Sequence, residues 1–211
     1  MEKQSEDRRV LKTKRQLRQG LAQLMMEKNI NRITVKELTD LVDINRATFY
    51  THYQDIYDLT EKIEAELYGQ IADIFKGRAP LTHDLDLYPV LRDIFHFIAD
   101  NAEICQALLG KHRDIAYMRQ IENVIRDYFL RNWQLLSPDD HSDKWQYSFA
   151  FILSGAMGLL QRWLEGGMPE SPDEMALIEA NLIKNGVLYR HMLLPEQAAP
   201  GTGRKTSTSH T

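Results

Sequence analysis

Residues 34–53, TVKELTDLVDINRATFYTHY, concentrate the side chains whose types and spacing could recognise another molecule. Arg46 is the strongest candidate, because a guanidinium group can bond to two acceptors of guanine at once. The methyl groups of Ala47 and Thr48 suit thymine, and the rings that follow can reach phosphates. The candidate contacts on this helix are Asn45, Arg46, Ala47, Thr48, Tyr50 and His52.

The start of the preceding segment offers a second kind of contact. Thr34 can cap a helix, and Glu37, three residues later, can complete a capping box. Free backbone amides at a helix start favour an anion. Thr34, Val35 and Lys36 are therefore expected to meet a phosphate backbone.

Two short helices must position these side chains. The first begins after Thr34; Asp43 tolerates the left-handed conformation that a tight turn needs. Asn45 can cap the second, which is expected to run from Arg46 to about Tyr53. Four apolar residues can pack the helices together: Leu38, Val42, Ile44 and Phe49. The pattern is that of a helix-turn-helix, whose second helix enters the major groove of DNA.

The charge distribution favours the same interpretation. The net charge is −4, but residues 8–36 carry nine basic side chains and one acidic one, Glu27. Residues 61–211 carry 15 basic and 21 acidic side chains. A cationic DNA-facing module joined to an acidic body would produce this asymmetry. The alternative is a solvated basic helix with no partner.

Helical periodicity continues through the rest of the chain, with no convincing strand, so the fold is expected to be all-α. The expected helices cover residues 9–28, 55–75, 84–100, 102–109, 114–136, 142–165 and 173–193. We divide the chain into a helix-turn-helix domain (1–54), a linking helix (55–76), a helical effector-binding and dimerisation domain (77–194) and a disordered tail (195–211).

Several functional classes lack support in the sequence. The polar N-terminus does not look like a signal peptide, the longest nearly apolar run is too short to cross a bilayer, and a single cysteine cannot form an internal disulfide, so a cytoplasmic location is expected. No catalytic, nucleotide-binding or metal-ligand motif is present, so we expect neither an enzyme nor a cofactor. Cys105 has only apolar residues near it in sequence, which favours an inert buried thiol.

The segment from Thr34 to Leu59 resembles the DNA-binding domain of the TetR family of bacterial transcriptional regulators. Its recognition helix carries the TFY triplet at residues 48–50 and an aromatic residue at Tyr53. Two positions depart from the pattern. Asp43 replaces the usual turn glycine, and Ile56 stands where a phosphate-binding lysine is common. We therefore expect altered phosphate anchoring. The run WLEGGMP at residues 163–169 resembles C-terminal domains described from Firmicutes members.

The resemblance implies a homodimer in which the last two long helices pack against their copies. Two DNA heads would then read a palindromic operator in double-stranded DNA. Small side chains that permit close helix packing agree with this expectation, and the candidate interface residues are Gly155, Gly158, Ala180, Ile183 and Val187. The alternative is helix packing within one chain.

The resemblance also implies an effector pocket for an unknown small molecule in the C-terminal domain. The candidate wall residues are Phe95, Ile98, Cys105, Leu109, Tyr117, Ile121, Phe129, Trp133, Tyr147 and Phe151. An apolar and aromatic lining with a few polar tips suits a small-molecule site, although the same residues could be ordinary core.

We therefore predict a dimeric, effector-controlled DNA-binding regulator, most often a repressor in this family. One alternative keeps the DNA head but docks a protein on the C-terminal domain, which an exposed apolar patch over a filled core would favour. An all-helical enzyme with an accidental helix-turn-helix would need clustered titratable groups in a cleft, and no such cluster is evident.

Overall fold

The computed structural model describes residues 2–76, 78, 86–109, 115–136 and 145–186, and within these ranges only the backbone of residues 2–7, 115, 116, 133–136 and 186. The helices of this part are α1 (Glu2–Glu27), α2 (Val35–Leu41), α3 (Arg46–Tyr50), α4 (Ile56–Phe75), α5 (Tyr88–Asp100), α6 (Ala102–Leu109), α7 (Ile115–Leu136), α8 (Trp145–Glu165) and α9 (Pro172–Gly186). A 3-10 turn, Ile30–Arg32, lies between α1 and α2. None of the helices in the described ranges is long and apolar enough to span a membrane.

The first apolar core joins the four N-terminal helices to the body of the protein. Leu17 of α1, Leu38 of α2 and Phe49 of α3 are completely buried in it, as is Leu59 of α4. Helix α6 contributes Ile104, Ala107 and Leu108 to the same core. Among the N-terminal helices, α1 packs along α6, and α4 packs on α5 and α7, so the head is joined to the body by direct packing.

One glycine permits the close approach of α1 and α2. A Cβ atom added to Gly20 would lie 2.3 Å from Cγ1 of Val42 and 2.9 Å from Cδ1 of Leu38. Both distances are shorter than any real carbon–carbon contact between side chains, so the packing of these helices requires a residue without a side chain. Nothing in the local sequence around Gly20 marks this role.

A second core lies among the C-terminal helices. Phe95 of α5 meets Trp163 of α8 edge-on, with ring centroids 5.3 Å apart. Helix α5 packs most extensively against α9, where Ala176 is completely buried. At the end of α8, Gly167 and Met168 both have positive φ, and their amides donate to the last carbonyls of the helix, which ends it and sets the direction of the turn toward α9.

The all-α fold predicted from the sequence is confirmed, with the short helix α3 ending at Tyr50, three residues earlier than expected. Helix α5 begins at Tyr88, a few residues after the predicted start, and the predicted start of α8 at residue 142 lies outside the described residues. The predicted break after residue 76, the end of the last helix with Val187, and the tail lie largely or wholly outside the described residues.

Glu179 of α9 gives the fold a testable pH dependence. Its side chain is buried, 7% exposed, and burial raises its pKa to about 7 from 4.5. The folded chain therefore keeps a proton that the unfolded chain releases, and stability falls as pH rises from about 4.5 to about 7. Glu179→Gln should remove this fall and raise the free energy of unfolding at pH 8 by up to about 3 kcal/mol. Urea unfolding of both proteins at pH 5 and pH 8 measures the difference. An unchanged pH dependence in the variant would contradict the assignment.

Candidate DNA-binding surface and effector cleft

The start of α2 is built as the sequence predicts, with one difference. The Thr34 hydroxyl accepts a hydrogen bond from the Glu37 amide at 3.2 Å. The Glu37 carboxylate does not reach back to complete the capping box, because it forms an ion pair with Lys28 of the preceding turn. Lys36 is exposed, whereas Val35 is half-buried against the first core. The first turn of α2 thus presents its backbone amides and the exposed Lys36 side chain to solvent.

The turn between α2 and α3 has the conformation expected of it. Asp43 adopts φ 53°, in the left-handed region where glycine is the usual residue and aspartate is tolerated. The Asn45 side chain then accepts a hydrogen bond from the Ala47 amide at 2.8 Å and caps α3. The turn therefore forms although aspartate stands where glycine is usual.

Helix α3 divides its residues between the core and the surface. Phe49 is completely buried and anchors the helix, and Tyr50, 58% exposed, stands edge-on to its ring at a centroid distance of 5.5 Å. The predicted base and phosphate contacts are all at least partly accessible: Asn45, Arg46, Ala47 and Tyr50 are exposed, and Thr48 and His52 are half-buried. In a helix of this length, Arg46, Ala47 and Tyr50 fall within about 100° of one another. They form one outward surface.

The second departure from the TetR pattern, isoleucine instead of lysine at position 56, places an apolar side chain in the core. Ile56 is 3% exposed and packs into the first core, so it takes no part in the surface. A different cation lies nearby: Lys62 of α4 donates to the His52 carbonyl at 3.3 Å and stands 5.2 Å above the Tyr53 ring. Asp58, one turn earlier on α4, pairs with it at 2.9 Å. The Asp58–Lys62 spacing was visible in the sequence, but its link to the end of α3 was not.

Arg18 links the DNA-facing helices to the body. Its guanidinium donates to Oδ1 of Asn101, at the junction of α5 and α6, at 2.5 Å. It also lies 3.6 Å from Glu66 of α4. Asn101 is itself fixed, since its amide donates to the Phe97 carbonyl at 2.8 Å. Arg18 thus connects α1 with α4 and with the α5–α6 junction through polar contacts. These contacts could not be read from the sequence, because they join residues far apart in the chain.

The predicted effector-wall residues do not come together around one site. Phe95, Ile98 and Cys105 fill the second core, while Tyr117 is buried in the first. Leu109, Ile121 and Phe129 are half-buried, and the Trp133 side chain lies outside the described part of the chain. Tyr147 and Phe151 are 80% and 68% exposed on α8. Helical spacing identified these residues as apolar but could not separate core from wall or outer face.

Cys105 and the described acidic and histidine side chains show neither a reactive thiol nor a metal-binding cluster. Burial raises the pKa of the Cys105 thiol to about 12, which disfavours the reactive thiolate. Within the described ranges, no group of three or more histidine, cysteine or carboxylate side chains is placed to hold a metal ion.

A cleft of about 370 Å³ lies between α7 and α8. Its apolar lining comes from Met118, Ile121, Ile125, Leu153 and Met157, and its polar lining includes Glu122, Ser154 and Gln161. Gln161 donates to the Leu109 carbonyl at 3.1 Å, and Glu122 pairs with Arg126 at 2.7 Å. The size and the mixed lining are typical of small-molecule sites. Of the predicted wall residues, only Ile121 borders it.

Helix α8 has an outer face on which Tyr147 and Phe151 are exposed, and α9 carries its own exposed apolar residues. On α8, Gly155 and Gly158 lie within this face, and a Cβ atom added to either would meet nothing within 4 Å. On α9 the exposed apolar residues are Leu177, Ile178 and Leu182. The structure places Ala180 and Ile183 elsewhere, partly buried against the second core of their own chain.

Comparison with known proteins agrees with this architecture. Residues 86–185 match the TetR C-terminal family model described as "Transcriptional regulator C-terminal region". No curated protein sequence in the comparison matches the chain.

Three solved structures illustrate the shared fold. The fatty acid degradation regulator FadR from Bacillus halodurans aligns with a TM-score of 0.59 at 13% identity, over 82% of this chain and 95% of that chain. FadR from Bacillus subtilis, solved with stearoyl-CoA, gives 0.56 at 12% identity, over 82% and 98%. A TetR regulator from Streptococcus agalactiae gives 0.54 at 20% identity, over 85% and 98%. At these identities the similarity establishes the fold alone.

The chain thus combines an N-terminal helix-turn-helix with a C-terminal region that matches those of transcriptional regulators. Residues 86–185 match a TetR-family C-terminal region, and the structural neighbours include TetR-family regulators from Firmicutes, as the resemblance of the C-terminal run implied.

Proposed function

We propose that this protein is a dimeric, sequence-specific DNA-binding repressor whose operator affinity is controlled by a small apolar effector. The observation that carries the proposal is α3, held by buried Phe49 so that Arg46, Ala47 and Tyr50 form one outward surface. We assign DNA recognition to residues 1–54, linkage to 55–76, and effector binding and dimerisation to 77–194.

The DNA-binding surface divides into two functions. Arg46 and Ala47 at the start of α3 are placed to meet base edges, as the N-terminal residues of a recognition helix do. Lys36 and the amides of the first turn of α2 suit a phosphate, which fixes register without reading sequence. The acidic body makes this head the favourable place for DNA.

Arg46→Ala tests the recognition surface. Its side chain is exposed and forms no ion pair within the described part of the chain, so its removal should leave folding unchanged. Operator affinity should fall by roughly 1 to 3 kcal/mol, with relaxed preference at one base position. Fluorescence anisotropy against operator duplexes substituted at each position measures both quantities. Arg131→Ala, an exposed arginine of α7, is the matched control. Unchanged affinity and unchanged base preference in Arg46→Ala would place the recognition surface elsewhere.

The proposed dimer uses the outer face of α8 and α9. This face combines Gly155 and Gly158, which leave room for another helix, with Leu177, Ile178 and Leu182 of α9. A second copy that covers these exposed apolar side chains would remove them from water, which favours association. We therefore assign the α9 part of the interface to these leucine and isoleucine residues rather than to Ala180 and Ile183.

The proposed effector site is the cleft between α7 and α8. Its methionine-rich lining can adapt to ligands of different shape, and its few polar groups, Ser154 among them, can orient a ligand. The solved complex of Bacillus subtilis FadR with stearoyl-CoA shows that this fold accommodates a ligand with an apolar chain. An apolar small molecule is therefore the class we assign to this cleft.

Arg18 offers a route from this site to the DNA head. The cleft borders Gln161, whose side chain is bonded to the last residue of α6, and α6 packs along α1. Arg18 holds α1 to Asn101 at the beginning of α6. A displacement of α6 on effector binding would thus act directly on the first helix of the head.

A further inference from the structure

The first helix extends well beyond the core that it helps to form. Among the residues of α1 whose side chains are described, from Arg8 onward, Leu17 is the first that is completely buried, although the helix begins at Glu2. Leu11 is 64% exposed, and Val10 and Thr13 are only half-buried. Its exposed basic side chains are Arg8, Arg9, Lys12, Lys14 and Arg15, which we call the α1 basic segment.

Three cations of the α1 basic segment have no acidic partner at helical spacing on their own helix. Lys12, Lys14 and Arg15 have no acidic residue three or four positions away in either direction, which is where helical ion pairs form. Several of those neighbours are basic, as in the pairs Arg8–Lys12 and Lys12–Arg15. Like charges at these spacings destabilise a helix.

No ion pair joins the α1 basic segment to another helix within the described ranges. Arg18, one turn further along α1, differs because it contacts both Glu66 and Asn101. Among the described side chains, Arg18 near the core is paired, whereas Lys12, Lys14 and Arg15 are left to solvent or to an external anion.

We propose that the α1 basic segment binds phosphates of the duplex outside the groove that α3 enters. The proposal rests on the proposed function, because DNA bound by the head is the polyanion brought near this segment. Residues 8–15 span about 12 Å of helix, which corresponds to about three or four base pairs of duplex length. Phosphate binding of this kind adds affinity and steepens its salt dependence without reading sequence.

The experiment replaces Lys12, Lys14 and Arg15 together by glutamine in the full chain. A matched control removes the same charge from the body through Lys76→Gln, Arg119→Gln and Arg131→Gln, all exposed positions. Fluorescence anisotropy gives the affinity for an operator duplex and for a scrambled duplex across a salt series. Circular dichroism and ultracentrifugation check helix content and oligomeric state.

The α1 variant should lose about 2 to 3 from the slope of log affinity against log salt, close to 0.9 for each lost phosphate contact. The loss should appear on both duplexes, and the control should keep the wild-type slope. An α1 variant with the wild-type slope on both duplexes overturns the proposal. A weakened dimer with an unchanged slope also overturns it, by assigning the segment to the acidic body of a second copy.

Failure of this inference is distinguishable from failure of the proposed function. Arg46→Ala should reduce affinity for the operator but not for scrambled DNA, whereas the α1 variant should reduce both. If Arg46→Ala behaves as expected while the α1 variant does not, the recognition surface stands without the basic segment. If wild type does not prefer any operator, the slope on scrambled DNA still tests the segment.

Discussion

Gly20→Val is expected to disrupt the DNA head more than any other single substitution considered for this protein. The new side chain would overlap Val42, whose branched Cβ leaves it little freedom to turn away, and would also press on Leu38. Overpacking of a core typically costs about 1 to 3 kcal/mol, and this position should lie at the upper end. Because Leu38 and Val42 belong to the helix before α3, operator binding should weaken together with the free energy of unfolding.

The chain supplies a matched control for this prediction. Gly69 lies inside α4, and a Cβ atom added there would meet nothing within 4 Å. Gly69→Ala should therefore stabilise the protein by about 0.5 to 1 kcal/mol, the usual gain for glycine replaced in a helix. Gly20→Ala should destabilise it despite the same gain in propensity. Urea unfolding compares the two pairs, and equal stabilisation by both alanine substitutions would show that α1 and α2 do not pack as described.

Replacing Gly155 and Gly158 together by leucine is expected to break the dimer. A Cβ atom at either position meets nothing within 4 Å in the single chain, and leucine favours a helix more than glycine does, so the monomer should fold at least as stably as the wild type. Gly158 also borders the cleft between α7 and α8, so the dimer is measured without effector. The cost arises only when a second helix approaches this face. Loss of the dimer separates the two heads and removes their joint binding, which is worth roughly 10²- to 10⁴-fold in affinity for linked sites.

Sedimentation velocity and anisotropy together test this second prediction. The double variant should sediment as a monomer and bind a palindromic operator at least about 100-fold more weakly than wild type. Gly69→Leu, on a different helix, should remain dimeric and bind normally. A dimeric double variant would move the interface away from α8.

The helix-turn-helix could be predicted because hydrogen bonds between residues close in sequence specify it. The capping residues Thr34 and Asn45 and the turn residue Asp43 each act through neighbouring backbone, so their roles follow from sequence spacing. The exposure of Arg46 follows equally from the helix period. Gly20 escaped prediction because its role depends on Val42, which is distant in sequence and lies on another helix.

The C-terminal half was less predictable because helical periodicity does not say what covers an apolar stripe. Ile183 and Leu182 are adjacent on α9, yet the first packs on the chain's own core and the second is 58% exposed. Phe95 and Phe151 were both interpreted as wall residues, but one is buried and the other lies on the outer face. Only the partner helices decide these outcomes, and their arrangement is a property of the whole fold.

DNA binding by the full chain is the most direct test of the proposal that α3 reads DNA sequence. Fluorescence anisotropy would compare DNA from upstream of the protein's own gene with scrambled DNA across a salt series. If α3 reads sequence, binding should be tighter to the upstream DNA, affinity should fall steeply with salt, and Arg46→Ala should reduce the preference. Equal and weak binding to both, unaffected by Arg46→Ala on this and other candidate operators, would contradict the assignment of α3 as a sequence reader.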